Sequence, residues 1–209
     1  MKYFYNAVFV PLSIIIPLVT GILLYRHFAR LEKILFCYLF LSGISNALLA
    51  FMAYRHMNNL PVFHIYTLLE FGFLVFFLRT LFHDTVISGW LYTIAAVFIL
   101  FCIINTLFFQ DIHTFNSYSR SVEAIIIIGF CLYYFKKQLG MQLNIPRDPG
   151  FWFVLGLFIY FSSSLTIFII SNVSLSLNKN FLWIMWTIHA SLVLLMYIFI
   201  TKGFIACKK

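Results

Sequence analysis

Charge is scarce in this 209-residue chain: Asp, Glu, Lys and Arg together make up 10% of it, and only six residues are acidic. A soluble domain carries about 25% charged residues to stay solvated. With 63% hydrophobic residues and a mean hydropathy of +0.99, the composition excludes a water-soluble globule. Cysteine is scarce too. Of four cysteines, Cys37, Cys102 and Cys131 fall inside apolar blocks, Cys207 lies near the C-terminus, and no CxxC spacing occurs. That excludes a disulfide framework and leaves small apolar packing residues. Basic residues never form a run longer than two or a solvated domain. The net charge of +8 is therefore a matter of membrane topology, and no nucleic-acid partner is expected. Also missing is the alternation of polar and apolar residues, over about ten positions, that a membrane β-barrel strand needs.

What is present is apolar sequence in blocks long enough to span a bilayer, which takes roughly 20 residues to cross about 30 Å of hydrocarbon. Seven blocks qualify: Ala7 to Tyr25, Ile34 to Tyr54, Val62 to Phe82, Val86 to Phe108, Ser119 to Phe135, Phe151 to Ile170, and Phe181 to Thr201. The expected architecture is an all-α, integral membrane bundle of seven transmembrane helices forming one domain over residues 1–209, since no sequence remains for a second. Ten of the 14 Lys and Arg residues, Arg26, Arg30, Lys33, Arg79, Lys136, Lys137, Arg147, Lys202, Lys208 and Lys209, fall on one side of this topology. Positive loops stay cytoplasmic, so the N-terminus is expected outside and the C-terminus inside, in a multi-pass protein of a cell's inner membrane. The first block is longer than the apolar core of a signal peptide, and its positive charges follow it, as a retained span requires.

Several local signals bear on shape. Pro11 and Pro17 each remove a backbone donor from the first helix and bend it, and such a kink can open a cavity beside the helix. The connection from Lys136 to Gly150 carries Lys-Lys, Pro146 and Asp148-Pro149-Gly150, and is read as a cytoplasmic loop where a soluble partner can dock. Helix 5 opens with Arg120 and Glu123, so its first turn is expected at headgroup depth. Gly43 and Ala47 form a small-xxx-small face that serves packing within the bundle or dimerisation. No internal repeat or matched pair of broken helices of the transporter kind is found.

Ionisable groups in hydrocarbon cost about 2.5 to 3.5 kcal/mol each, so every one in a span is a site candidate. Helix 3 carries His64, Tyr66, Thr67 and Glu70, with His64, Thr67 and Glu70 on one side of the helix and Tyr66 one turn before Glu70. Helix 5 adds Arg120 and Glu123, three apart, whose bland reading is a local ion pair. Helix 7 adds Trp186 and His189, and helix 2 presents Ser42, Ser45, Asn46 and Leu49 on one face. Helix 6 presents Tyr160, Ser164, Ile167 and Ser171; hydroxyl faces such as these on helices 2 and 6 are more often packing surfaces than ligand contacts. Counted from the helix ends, His64, Glu70, Glu123 and His189 lie in the outer half of the bundle, and Asn46 and Asn105 near or above its middle. They point to a shared intramembrane pocket for a small or lipid-like ligand, with Glu70 as first candidate contact. The competing structural reading has Glu70 paired with His64 or Arg120 only to hold helices together.

Three activities compete with ligand binding. A zinc hydrolase needs three ligands, and the histidines within spans, His64 and His189, lack a zinc spacing. A serine hydrolase assembled from Ser162, Ser163 or Ser164 with His189 and an acid lacks the G-x-S-x-G context. A small transporter using Glu70 and Glu123 would need polar groups through the inner half as well. Retinal chemistry is excluded because Lys202 lies at the end of the last helix and not deep within it. No cofactor and no metal are expected.

The aromatic-rich helices, the segment from Tyr66 to Glu70 and Phe71, and the Trp186-x-x-His189 pattern resemble the seven-helix membrane sensor regions that precede some bacterial histidine kinases, and related short stand-alone membrane proteins. The resemblance extends over nearly the whole chain. It implies a sensory or signalling-accessory role in a bacterial inner membrane, and it names no ligand and transfers no catalytic residue. Because the chain stops at Lys209 without a kinase domain, a signal is expected to leave through its cytoplasmic loops or a membrane or cytoplasmic partner.

Overall fold

A computed structural model describes residues 4–82, 85–139, 147–174 and 179–208, without the side chains of 85, 170–174, 179 and 182. Lys2, Lys209, the side chains of Ser171 and Lys179, and residues 140–146 of the Lys136 to Gly150 connection therefore lie outside the described residues. Within them all regular structure is helical. Seven helices are long and apolar enough to cross a membrane, in the order the apolar blocks predict. They are α1 (Tyr5–His27), α2 (Arg30–Tyr54), α3 (Leu60–Leu81), α4 (Thr85–Phe108), α5 (Ser117–Gln138), α6 (Pro149–Ser174) and α7 (Lys179–Ala206).

The two prolines shape α1 as their chemistry requires. Each proline ring collides with the carbonyl four residues earlier and removes one backbone bond. For Pro11 that carbonyl belongs to Ala7, and the segment Tyr5–Phe9 widens into a π-helical turn. For Pro17 it belongs to Ser13, where the helix breaks between Val10–Ser13 and Ile15–Leu24. The Ser13 hydroxyl donates to the Val10 carbonyl at 2.6 Å beside this break.

Local chemistry also sets the other ends. At the end of α2, His56 takes a left-handed conformation (φ 56°). Its N–H donates to Ala53 O at 3.1 Å and that of Met57 to Met52 O at 2.9 Å, a paired termination that satisfies the last carbonyls. At α6, Asp148 Oδ1 accepts the Gly150 N–H at 3.0 Å with Pro149 in the first turn, so the Asp-Pro-Gly signal is a helix start.

Helix α3 packs on α2, α4 and α5, α6 packs between α5 and α7, and α1 closes the ring against α7 and α2. Because α3 and α5 touch directly, six helices surround the centre and α4 lies outside. Only 17% of the apolar stretch of α4 is buried, against 50% for α6. Small residues set the closest approaches. Gly203 on α7 lies against the ring of Phe153 on α6, Gly21 on α1 against Phe36 on α2, and Gly156 on α6 against Phe199 and the Met196 backbone on α7. Gly43 faces Ile14 and Leu18 of α1, so its small face is used inside the bundle. All four cysteines are free, with Cys102 and Cys131 buried.

Candidate functional site

Seen from α3, the site begins with Tyr66 and Glu70, four residues apart and hence on one face. The Tyr66 hydroxyl donates to Glu70 Oε1 at 3.0 Å, and that of Tyr38 on α2 donates to the same oxygen at 2.8 Å. The other carboxylate oxygen of Glu70 is ion-paired with Arg120 of α5. Arg120 also donates to Glu123 Oε2 at 3.0 Å and to the Tyr160 hydroxyl of α6 at 3.2 Å, and its guanidinium lies 4.7 Å from the ring centroid of Phe168. Glu70, Arg120 and Glu123 are all buried. Four helices are thus joined through one guanidinium and its carboxylates.

Two carboxylates surround one guanidinium, so the fully ionised cluster carries one uncompensated negative charge. The second oxygen of Glu123, Oε1, is buried and has no hydrogen-bond partner. A buried acceptor without a protein partner is costly. The cluster therefore carries an electrostatic cost beside the bonds that join its helices.

Beside it lies a cavity of about 120 Å³. Its wall draws Tyr38, Ser42, Ser45 and Asn46 from α2, Tyr66 and Glu70 from α3, Arg120 from α5, Tyr160 and Phe168 from α6, and Trp186, His189 and Tyr197 from α7. His189 is held by Ser164, whose hydroxyl lies 3.1 Å from Nδ1, and by ring contacts with Trp186, Tyr160 and Phe168. A second cavity of about 330 Å³ lies between α1 and α7, lined by Asn6, Ala7, Val10 and Pro11. The two cavities share Asn46, Trp186, His189, Val193 and Tyr197. The proline-distorted stretch of α1 thus forms one side of this second cavity, a mouth between α1 and α7 that shares five wall residues with the first.

Seven of the residues singled out from sequence meet here: Glu70, Tyr66, Arg120, Glu123, His189, Trp186 and Asn46. His64 and Thr67 do not. His64 Nε2 lies 3.1 Å from the Thr114 carbonyl, and Thr67 accepts a bond from Asn116 at 2.6 Å. Both tie α3 to the turn between α4 and α5, where Asn105, Gln110 and Ser117 form a further polar knot. This turn covers the start of α5. Arg120, in the first turn of α5, is consequently 6% exposed and reaches inward to Glu70.

Glu70 is ten residues into α3, about 15 Å at 1.5 Å per residue and so midway along that helix. Tyr38 reaches it from the opposite half of α2. Tyr38 is absent from the sequence reading, and Tyr160 enters it as a packing residue. The Ser42, Ser45, Asn46 and Leu49 stripe, extended one turn toward the N-terminus, would have reached Tyr38.

Ser164 and His189 form the one serine-histidine contact the hydrolase reading requires, but Ser164 is fully buried and is not among the residues lining the cavity. Its hydroxyl orients the imidazole. Among the described residues no three His, Cys, Asp or Glu side chains gather as a metal site. No protein-family model, curated protein or solved structure matches the chain.

Proposed function

We propose that this chain is a sensory or signalling-accessory membrane protein that takes a small or lipid-like ligand into the cavity beside Glu70 and Arg120. The observation that carries the reading is the coincidence of an aromatic-walled cavity with a buried charge cluster joining four helices. A ligand that donates to the carboxylates, or accepts from the guanidinium, competes directly with the bonds that set how α2, α3, α5 and α6 pack. Differential binding to two packings is what converts occupancy into a signal. The polar wall holds one end of the ligand, and the mouth between α1 and α7 admits the apolar remainder.

The distribution of Lys and Arg supports an orientation with the N-terminus and this cavity's mouth toward the outer face, and the C-terminus in the cytoplasm. The resemblance to kinase-linked sensor regions supports a bacterial inner membrane and a signalling partner in the membrane or cytoplasm.

Native mass spectrometry of gently solubilised protein, followed by identification of what co-purifies, tests the reading. A stoichiometric small or lipid-like molecule is expected in the wild type, lost both in Glu70→Gln and in Ser45→Trp, which fills the cavity without replacing a member of the ion cluster. An empty wild-type protein, or undiminished occupancy in both variants, overturns the proposal and leaves the cluster as a device for holding helices.

A further inference from the structure

Away from the central cavity, and independent of it, a groove of about 760 Å³ runs between α2 and α3 on the outside of the bundle. Its wall is apolar: Ile34 and Cys37 from α2, and Leu68, Leu69, Phe73 and Phe76 from α3. Along α3 it extends eight residues from Leu68 to Phe76, about 12 Å of helix. Gly72 lies midway on its floor, and a Cβ built there meets nothing within 4 Å. The groove is open space bounded by hydrocarbon.

At one end the chemistry changes. Arg30 and Lys33, in the first turn of α2, line the groove and are exposed. Neither forms an ion pair among the described residues. The Arg30 guanidinium lies 5.8 Å from the ring centroid of Phe76 in the groove wall, and the Lys33 ammonium, whose side chain also lines the groove, rests 5.6 Å from that of Tyr25 at the end of α1. Glu32, the acid between them in sequence, is on the buried side, and Arg79, one turn beyond Phe76, is turned away to Ser88 and Tyr92 of α4. Among the described residues no carboxylate lines the groove.

Two cations at the membrane-surface end of a helix, above an apolar channel that descends along it, match one molecular shape. We propose that this groove is a binding site for an anionic phospholipid, with the phosphate on Arg30 and Lys33 and one acyl chain along Leu68, Leu69, Gly72 and Phe73. Basic residues at a membrane surface attract anionic headgroups, and the buried chain adds its hydrophobic contribution. Together they retain this lipid against exchange with its neighbours.

The test uses the full chain in mixed micelles with added phosphatidylglycerol or phosphatidylcholine, and native mass spectrometry to count retained lipids. Wild type is expected to keep one phosphatidylglycerol in preference to phosphatidylcholine. The pair Arg30→Gln and Lys33→Gln is expected to abolish that preference. Gly72→Trp puts a bulky side chain into the channel, where a Cβ meets nothing within 4 Å, and is expected to remove the retained lipid, whereas Arg55→Gln at the other end of α2 leaves it in place. Equal retention of the two lipids by wild type, or undiminished retention in either groove variant, overturns the proposal. Thermal unfolding in the same micelles confirms that the variants compared are folded.

Discussion

Arg120 on α5 and Glu70 on α3, fifty positions apart in sequence, meet as an ion pair in the middle of the bundle. Glu123, three residues from Arg120, completes the cluster. This places the chemistry of the molecule where six helices converge, and it decides what individual substitutions do.

Removing the cation leaves two carboxylates buried together. Arg120→Leu is expected to lower stability by about 3 to 5 kcal/mol, the usual cost of breaking a buried pair from one side. A double-mutant cycle with Glu70→Gln, read by thermal unfolding in detergent, should recover part of that loss. Strict additivity of the two substitutions would refute the coupling.

Glu123→Gln behaves differently. It keeps an oxygen for Arg120 and removes the surplus negative charge, so any loss stays under about 1 kcal/mol, and a gain is consistent with the same argument. A loss as large as that of Arg120→Leu would show that both carboxylates are needed in ionised form.

The mouth between α1 and α7 is tested by Ala7→Trp, at an exposed position on its rim. The apolar end of the ligand occupies this mouth, so a bulky side chain there competes with it for space. The co-purifying ligand is expected to bind about tenfold more weakly, with a faster release. Affinity and release that match the wild type would mean the apolar end of the ligand lies elsewhere.

Packing of α6 on α7 depends on Gly203 having no side chain, because a Cβ there would penetrate the ring of Phe153, which is fully buried. Gly203→Ala is expected to cost about 1 to 3 kcal/mol, as overpacking of a filled core does. The companion Gly72→Ala, in open space, should be neutral in the same unfolding assay.

Much of the site was legible in the sequence because ionisable groups are rare in hydrocarbon and stand out singly. Glu70, Arg120, Glu123 and His189 are conspicuous for that reason. Tyr38 is not, since a tyrosine among Leu and Phe has the same apolar body as its neighbours and shows its role only when its hydroxyl finds an acceptor. His64 and Thr67 share the helix side of Glu70, yet bond to the α4 to α5 turn. Helical periodicity gives direction about one axis and says nothing of which neighbour stands there.

The seven spans, their order and the bend of α1 follow from the sequence alone, because hydrocarbon thickness and the missing proline N–H act on each segment separately. The choice of partners belongs to the tertiary structure. Whether Arg120 pairs only with Glu123 beside it or also with Glu70 on another helix depends on α3 and α5 touching while α4 stays outside. That arrangement is decided by how large and small side chains from all seven helices fit together, a property no single segment carries.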